Sequence, residues 1–151
     1  MQVLKFGGTS VASAENMSKV VDIVVKALEK DRTILVSSAI SKCTDTLIEI
    51  GKRAASRDES YKELLDALQE RHHRIIEELI PESGRQAALD VCDAQFESLR
   101  AIVYGVYLVG ELSSSSLDAI QSNGELLSTR ILQARFKSLG ISCKWVDSRT
   151  I

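Results

Sequence analysis

The chain has 151 residues, a formal net charge of −2, 44% hydrophobic residues and 26% charged residues, which is enough for one globular domain with its own core. That balance leaves no basic footprint for nucleic acid or an anionic membrane surface, and no apolar run approaches the roughly 20 residues of a membrane-spanning helix. Cys43, Cys92 and Cys143 are odd in number, far apart and without metal-ligand spacing; this predicts free thiols, a reducing compartment and a cytoplasmic protein.

Residues 3–11 read VLKFGGTSV. Val3, Leu4 and Phe6 around Lys5 predict a buried first strand, and Gly7-Gly8 ends it. Thr9 and Ser10 follow, and an amphipathic pattern starts at Ser13. Glycines let backbone N–H groups approach an anion closely, and a helix start nearby adds free N–H groups and a positive dipole end. Lys5 adds a mobile positive charge. The order differs from the Walker loop, whose lysine follows its glycines. A plain strand-to-helix turn with a strand-edge lysine accounts for the same residues.

Ser13 is a candidate N-cap with Glu15 in the first turn. Met17, Val20, Val21, Val24, Val25 and Leu28 form one helical stripe. Residues 33–36 are β-branched and apolar, a second buried strand. Strand, helix and strand make one βαβ unit with a parallel pair. The loop Ser37-Ser38-Ala39 should lie beside the glycine turn, because ligands gather beyond the carboxyl ends of parallel strands. Thr44 or Asp45 can cap the next helix, and Thr44 can equally face a ligand.

Two long helical patterns follow, one through Tyr61, Leu65, Leu68, Ile76 and Leu79 and one through Leu89, Phe96, Leu99, Val103 and Val106. Pro81-Glu82-Ser83-Gly84 between them has turn chemistry, so residues 59–110 predict an αα-hairpin. His72-His73 are adjacent and share no helix face, which argues against a metal pair and for surface or partner-facing histidines. Gly105 and Gly110 weaken the second helix near its end. A helix start is expected at one of the serines 113–116. Ser122-Asn123-Gly124 predicts a break and Glu125 opens the next helix, where its carboxylate can serve the dipole or a substrate ammonium. Gly140 closes that helix. Residues 143–146 predict a third strand with Asp147 at its carboxyl end.

Four blocks resemble aspartate kinases of the amino-acid-kinase superfamily, in order: KFGGTSV (5–11), LVSSAISKCTDTL (35–47), SNGELLSTRIL (122–132) and WVDSRTI (145–151). They span the chain, and the inserted helical pair is similar to that of aspartate kinases fused to homoserine dehydrogenase. The resemblance implies an α/β fold, a three-layer αβα sandwich with a mostly parallel sheet. It is incomplete here and carries the inserted αα-hairpin. Residues 1–151 would be the N-terminal part of one catalytic domain, without its second half, ACT domains or a dehydrogenase, and inactive alone.

The resemblance further implies transfer of the ATP γ-phosphoryl group to the β-carboxylate of L-aspartate. Lys5 would meet the phosphates and the transferred group, with Gly7, Gly8, Thr9 and Ser10 around them. Ser38, Ala39 and Thr44 would line the aspartate pocket, and Glu125 would hold its ammonium. Mg2+ would be held mainly through the phosphates, since the residues offer no convincing metal ligand. A homo-oligomer is expected, through the hairpin or the open sheet edge. The loop 40–43 departs from the resemblance, because it lacks the usual glycine. A non-catalytic anion or nucleotide module, a helical interaction protein, or another carboxylate or carbamate kinase would share parts of this pattern.

Overall fold

The computed structural model describes residues 1–150; Ile151, the last residue of the fourth block, lies outside the described residues. Strands β1 (Gln2–Phe6) and β2 (Thr33–Ser37) pair in parallel, with Leu4 opposite Leu35 and Lys5 opposite Val36. Helix α1 (Ala14–Leu28) forms the crossover. The Ser13 hydroxyl accepts from the Asn16 N–H at 3.2 Å, so the expected cap is in place. Met17, Val20, Val21 and Val24 are buried, while Leu28 at the end of the stripe is exposed.

Both strands were expected to be buried, but only one face is. Leu4, Phe6 and Leu35 pack on the core. Val3, Ile34 and Val36 on the other face are 60, 45 and 43% exposed. Parallel strands carry apolar residues on both faces because both are normally covered. The observed part is thus a small parallel sheet with helices on one side, a portion of an αβα sandwich.

The remaining elements are helical: α2 (Cys43–Ala55), α3 (Tyr61–Leu79), α4 (Glu82–Val109), α5 (Ser114–Gln121) and α6 (Asn123–Ser138). The αα-hairpin exists and its second arm is longer than its pattern. Pro81 acts as the N-cap of α4, so Ser83 and Gly84 lie inside the first turn. Proline is compatible with a helix entry because the first N–H groups have no intrahelical acceptor. Gly105 stays helical, and Gly110 ends α4 in the left-handed region at φ +77°. Ser113 caps α5 through the Ser116 N–H, and Gly140 follows α6 at φ +73°. The hairpin is integral to the core: α4 packs on α2 and α6, and α3 on α1 and α2.

Two expectations fail here. Residues 143–146 join no strand among the described residues. A strand exists only with a hydrogen-bonding partner, and α6 takes these residues instead. The Trp145 indole N–H donates to Thr129 Oγ1 at 2.9 Å, and the Arg130 guanidinium lies 3.5 Å over the indole ring. His72 is not at the surface. It is fully buried, with its ring edge-on to Phe96 at 5.4 Å and Nδ1 2.7 Å from the Leu68 carbonyl. His73 does lie at the surface, against Asp93.

Burial pulls the His72 pKa down to about 4, and the Arg71 and His73 charges act the same way against the Leu68 carbonyl. Between that value and the ordinary value of 6.5 the unfolded chain holds more protons than the folded one. Stability is therefore full above pH 6.5 and falls as the pH drops towards 4. The expected loss is about 3 kcal/mol, at roughly 1.4 kcal/mol per pKa unit. Urea titrations between those pH values should record it, and His72→Leu should flatten the dependence.

Candidate active site

The parallel pairing of β1 and β2 delivers both carboxyl ends to one edge. The Ser38 N–H continues the ladder by donating to the Phe6 carbonyl at 3.0 Å. Beyond it, the turn after β1 is a single 3-10 turn, Gly8–Val11, closed by the Ser10 N–H on the Gly7 carbonyl at 3.0 Å. The loop after β2 comes back against this turn, where the Ser41 N–H donates to the Gly8 carbonyl at 3.1 Å.

The two glycines differ in what they meet. A Cβ on Gly8 would stand 2.9 Å from the Ala39 carbonyl oxygen, a backbone atom. Gly8 is thus required by the contact between the two loops. A Cβ on Gly7 would meet nothing within 4 Å, and its φ of −81° suits any residue. Neither backbone conformation nor packing within the chain demands glycine there.

Helix α6 enters the same place. A Cβ on Gly124 would lie 2.7 Å from the Ala39 Cβ and 3.5 Å from Cys43 Sγ, so the helix start is pressed against the loop and the start of α2. Ser128, fully buried, donates to the Ser38 carbonyl at 2.8 Å. The Ser122-Asn123-Gly124 break is only one residue wide, because Ser122 alone separates α5 from α6. Asn123 is buried. Its amide nitrogen donates to the Ala119 carbonyl at 2.8 Å, and its Oδ1 accepts from Gln95 on α4 at 2.6 Å.

Each expected site residue has a defined place. Lys5 is exposed on the open face of the sheet and ion-pairs with no carboxylate among the described residues. Thr9 is exposed and its carbonyl accepts from Asn16 Nδ2 at 2.9 Å, while Ser10 is half-buried. Ser38 is half-buried and Ala39 buried. Glu125 is exposed in the first turn of α6. Thr44 and Asp45 do not cap α2. The cap position is Lys42, at φ +65°, and Thr44 is already helical. In this loop, which has no glycine, Lys42 itself takes the left-handed conformation, which costs a non-glycine residue about 1 kcal/mol. Cys43 just after it is buried, and burial pushes its thiol up to about 12; the Arg71 charge opposes this and Glu125 adds to it.

Ser128 and Arg71 were not singled out as site residues. Ser128 lies on a helix between Leu127 and Ile131 and looks like an ordinary polar helix residue. Arg71 donates to the Ser41 carbonyl from α3, thirty residues away, and carries no local sequence signal.

The family model described as "Amino acid kinase family" matches residues 1–151. The chain belongs to the amino acid kinase family. Within it, the chain is 31% identical over 149 residues to the chloroplastic bifunctional aspartokinase/homoserine dehydrogenase 2 of Arabidopsis thaliana, covering 99% of this chain and 16% of that protein. It is 34% identical over 147 residues to the corresponding bifunctional enzyme of Daucus carota, covering 97% of this chain and 16% of that protein. The chloroplastic aspartokinase 1 of Arabidopsis thaliana is 33% identical over 149 residues, covering 97% of this chain and 25% of that protein. The chain therefore spans a quarter or less of these relatives. The crystal structure of E. coli aspartokinase III in complex with aspartate and ADP superimposes with a TM-score of 0.84 at 27% identity, over 99% of this chain and 31% of that one. The same enzyme with lysine and aspartate gives 0.82 at 25% identity, over 99% of this chain and 32% of that one.

Gly124→Ala should destabilise the chain by about 1–3 kcal/mol, because neither Ala39 nor the helix start can give way freely. Thermal unfolding measures this. Gly7→Ala should stay within about 0.5 kcal/mol of the parent, whereas Gly8→Ala should shift the backbone NMR signals of Ala39 and Ser41.

Proposed function

We propose that this chain is the N-terminal part of the catalytic domain of an aspartate kinase, which transfers the ATP γ-phosphoryl group to the β-carboxylate of L-aspartate and yields 4-phospho-L-aspartate. The observation that carries the reading is the meeting of the glycine turn, the Ser38–Ala39 loop and the starts of α2 and α6 at one edge of the parallel sheet. Relatives named as aspartokinases, and a structural neighbour holding aspartate and ADP, support it.

The chemistry suits the residues. A carboxylate is already a nucleophile, so the reaction needs no strong general base. Two anions must be brought together in line, which calls for cationic side chains and N–H donors held in position. In this reading Lys5 lies on the β- and γ-phosphates and the group in transit. The amides of Gly7 and Gly8 face the same phosphates, with Thr9 and Ser10 beside them. Ser38, Ala39 and Thr44 line the aspartate pocket, and Glu125 pairs with the substrate ammonium. No group of three or more His, Cys, Asp or Glu side chains among the described residues could hold a metal ion. In this reading Mg2+ is held mainly through the nucleotide phosphates, where it would offset their charge.

The same reading leaves the rest of the catalytic domain to cover the open sheet face, where Val3, Ile34 and Val36 now meet water. Homo-oligomer formation belongs to it as well, with the helical hairpin or the open sheet edge as the contact. The free thiols fit a reducing compartment such as the cytoplasm. No helix among the described residues is long and apolar enough to cross a membrane.

Hydroxylamine trapping of the acyl phosphate tests the proposal. The 151-residue chain alone should give no ATP- and aspartate-dependent hydroxamate. In the complete polypeptide, Lys5→Ala should lower kcat by about 10²–10³. Glu125→Ala should chiefly raise KM for aspartate, by about tenfold or more for a lost charge pair. Normal kinetics in both variants would remove these residues from the site. Sedimentation of the chain as a clean monomer at high concentration counts against the oligomer.

A further inference from the structure

One guanidinium holds two carbonyls that belong to opposite sides of the candidate site. Arg71 Nη1 donates to the Ser41 carbonyl at 2.8 Å, and Nη2 to the Ala12 carbonyl at 3.4 Å. Ser41 lies in the loop after β2, and Ala12 closes the turn after β1. Both partners are distant in sequence, 30 and 59 residues from Arg71. Other side chains reach one loop only, Ser128 to the Ser38 carbonyl and Asn16 to the Thr9 carbonyl. Among the described residues, Arg71 is the one side chain that hydrogen-bonds to both.

Its chemistry is suited to the task. Arg71 forms no ion pair among the described residues, so its donors serve the backbone and no carboxylate competes for them. The planar fork places two N–H groups in fixed relation, whereas a lysine is a single mobile point charge. Directly between the loops there is one hydrogen bond, from the Ser41 N–H to the Gly8 carbonyl. One such bond contributes about 1 kcal/mol net, too little to hold two loops in register.

We propose that Arg71 is a positioning residue. By bridging Ala12 and Ser41 from α3, it sets the separation of the glycine turn from the Ser38–Ala39 loop. The helical pair thereby acts on the geometry of the site that it does not itself line. The inference rests on the reading of turn and loop as the phosphate and acceptor sides of one kinase site.

Amide hydrogen exchange by NMR on the 151-residue chain tests it, with Arg71→Met, which keeps the apolar stem, and Arg71→Lys, which keeps the charge. In both variants the Ser41 and Ser10 amides should exchange about tenfold faster or more, while amides inside α4 stay within about twofold. Inorganic pyrophosphate, followed by the shifts of residues 7–10, should bind both variants about tenfold more weakly than the parent. Unchanged Ser41 and Ser10 exchange in Arg71→Met overturns the proposal. Parent-like behaviour of Arg71→Lys assigns the effect to charge alone and overturns it too. Equal acceleration throughout α4, or unfolding of both variants, reduces Arg71 to a general stabilising contact. Failure of the parent to bind pyrophosphate removes the phosphate role of the turn, and the exchange data still decide what Arg71 does.

Discussion

The backbone of the turn after β1 and the backbone of the loop after β2 touch, and much of the molecule is arranged around that contact. Parallel pairing requires both strands to end at the same edge, so both connections start there. The Ser41 N–H reaches the Gly8 carbonyl, and the Ala39 carbonyl occupies the space a Gly8 side chain would need. From the other side Gly124 brings α6 against Ala39 at a distance that only a missing Cβ permits. Three backbones thus meet through the smallest residues, and polar groups from different segments can converge.

The helices support this edge more than they enclose it. Helix α4, 28 residues long, packs on α2 and α6, and polar links run across the pair it forms with α3. Arg100 donates to Asp66 and Gln69, and Gln69 to Asp93. Bonds between charged or polar groups specify alignment, where apolar packing alone would permit sliding. Exposed pairs of this kind contribute little energy; the buried apolar cluster from Val11 to Phe136 holds the fold together.

The open sheet face explains several features at once. Lys5 shares it with Val3, Ile34 and Val36. A cation among apolar residues, on a strand whose other side is covered, has the form of an inner surface. Apolar side chains of that size would be costly to leave in water throughout.

Much of this was legible in the residues alone. Periodicity placed α1, the two arms of the hairpin and α6, because an amphipathic helix must repeat its apolar residues to reach a core. Ser13, Ser113 and Gly140 worked as local punctuation, since caps depend on neighbouring backbone groups. The motifs around Lys5, Ser38 and Glu125 carried the family. What could not be read was whatever depends on a distant partner. Residues 143–146 have strand composition, yet Thr129 and Arg130 hold Trp145, and among the described residues no strand pairs with them. His72 looked polar and proved to be core, because Phe96 lies 24 residues further along. Thr44 looked like a cap until Lys42 took the left-handed turn that the loop requires. Arg71 gave no signal, since its acceptors are carbonyls that every residue possesses. Local pattern decided which elements form, because their causes lie within a few residues. Tertiary structure decided which loops meet, which polar groups are buried and which side chain bridges them, because those depend on distances that the chain sets only when it folds.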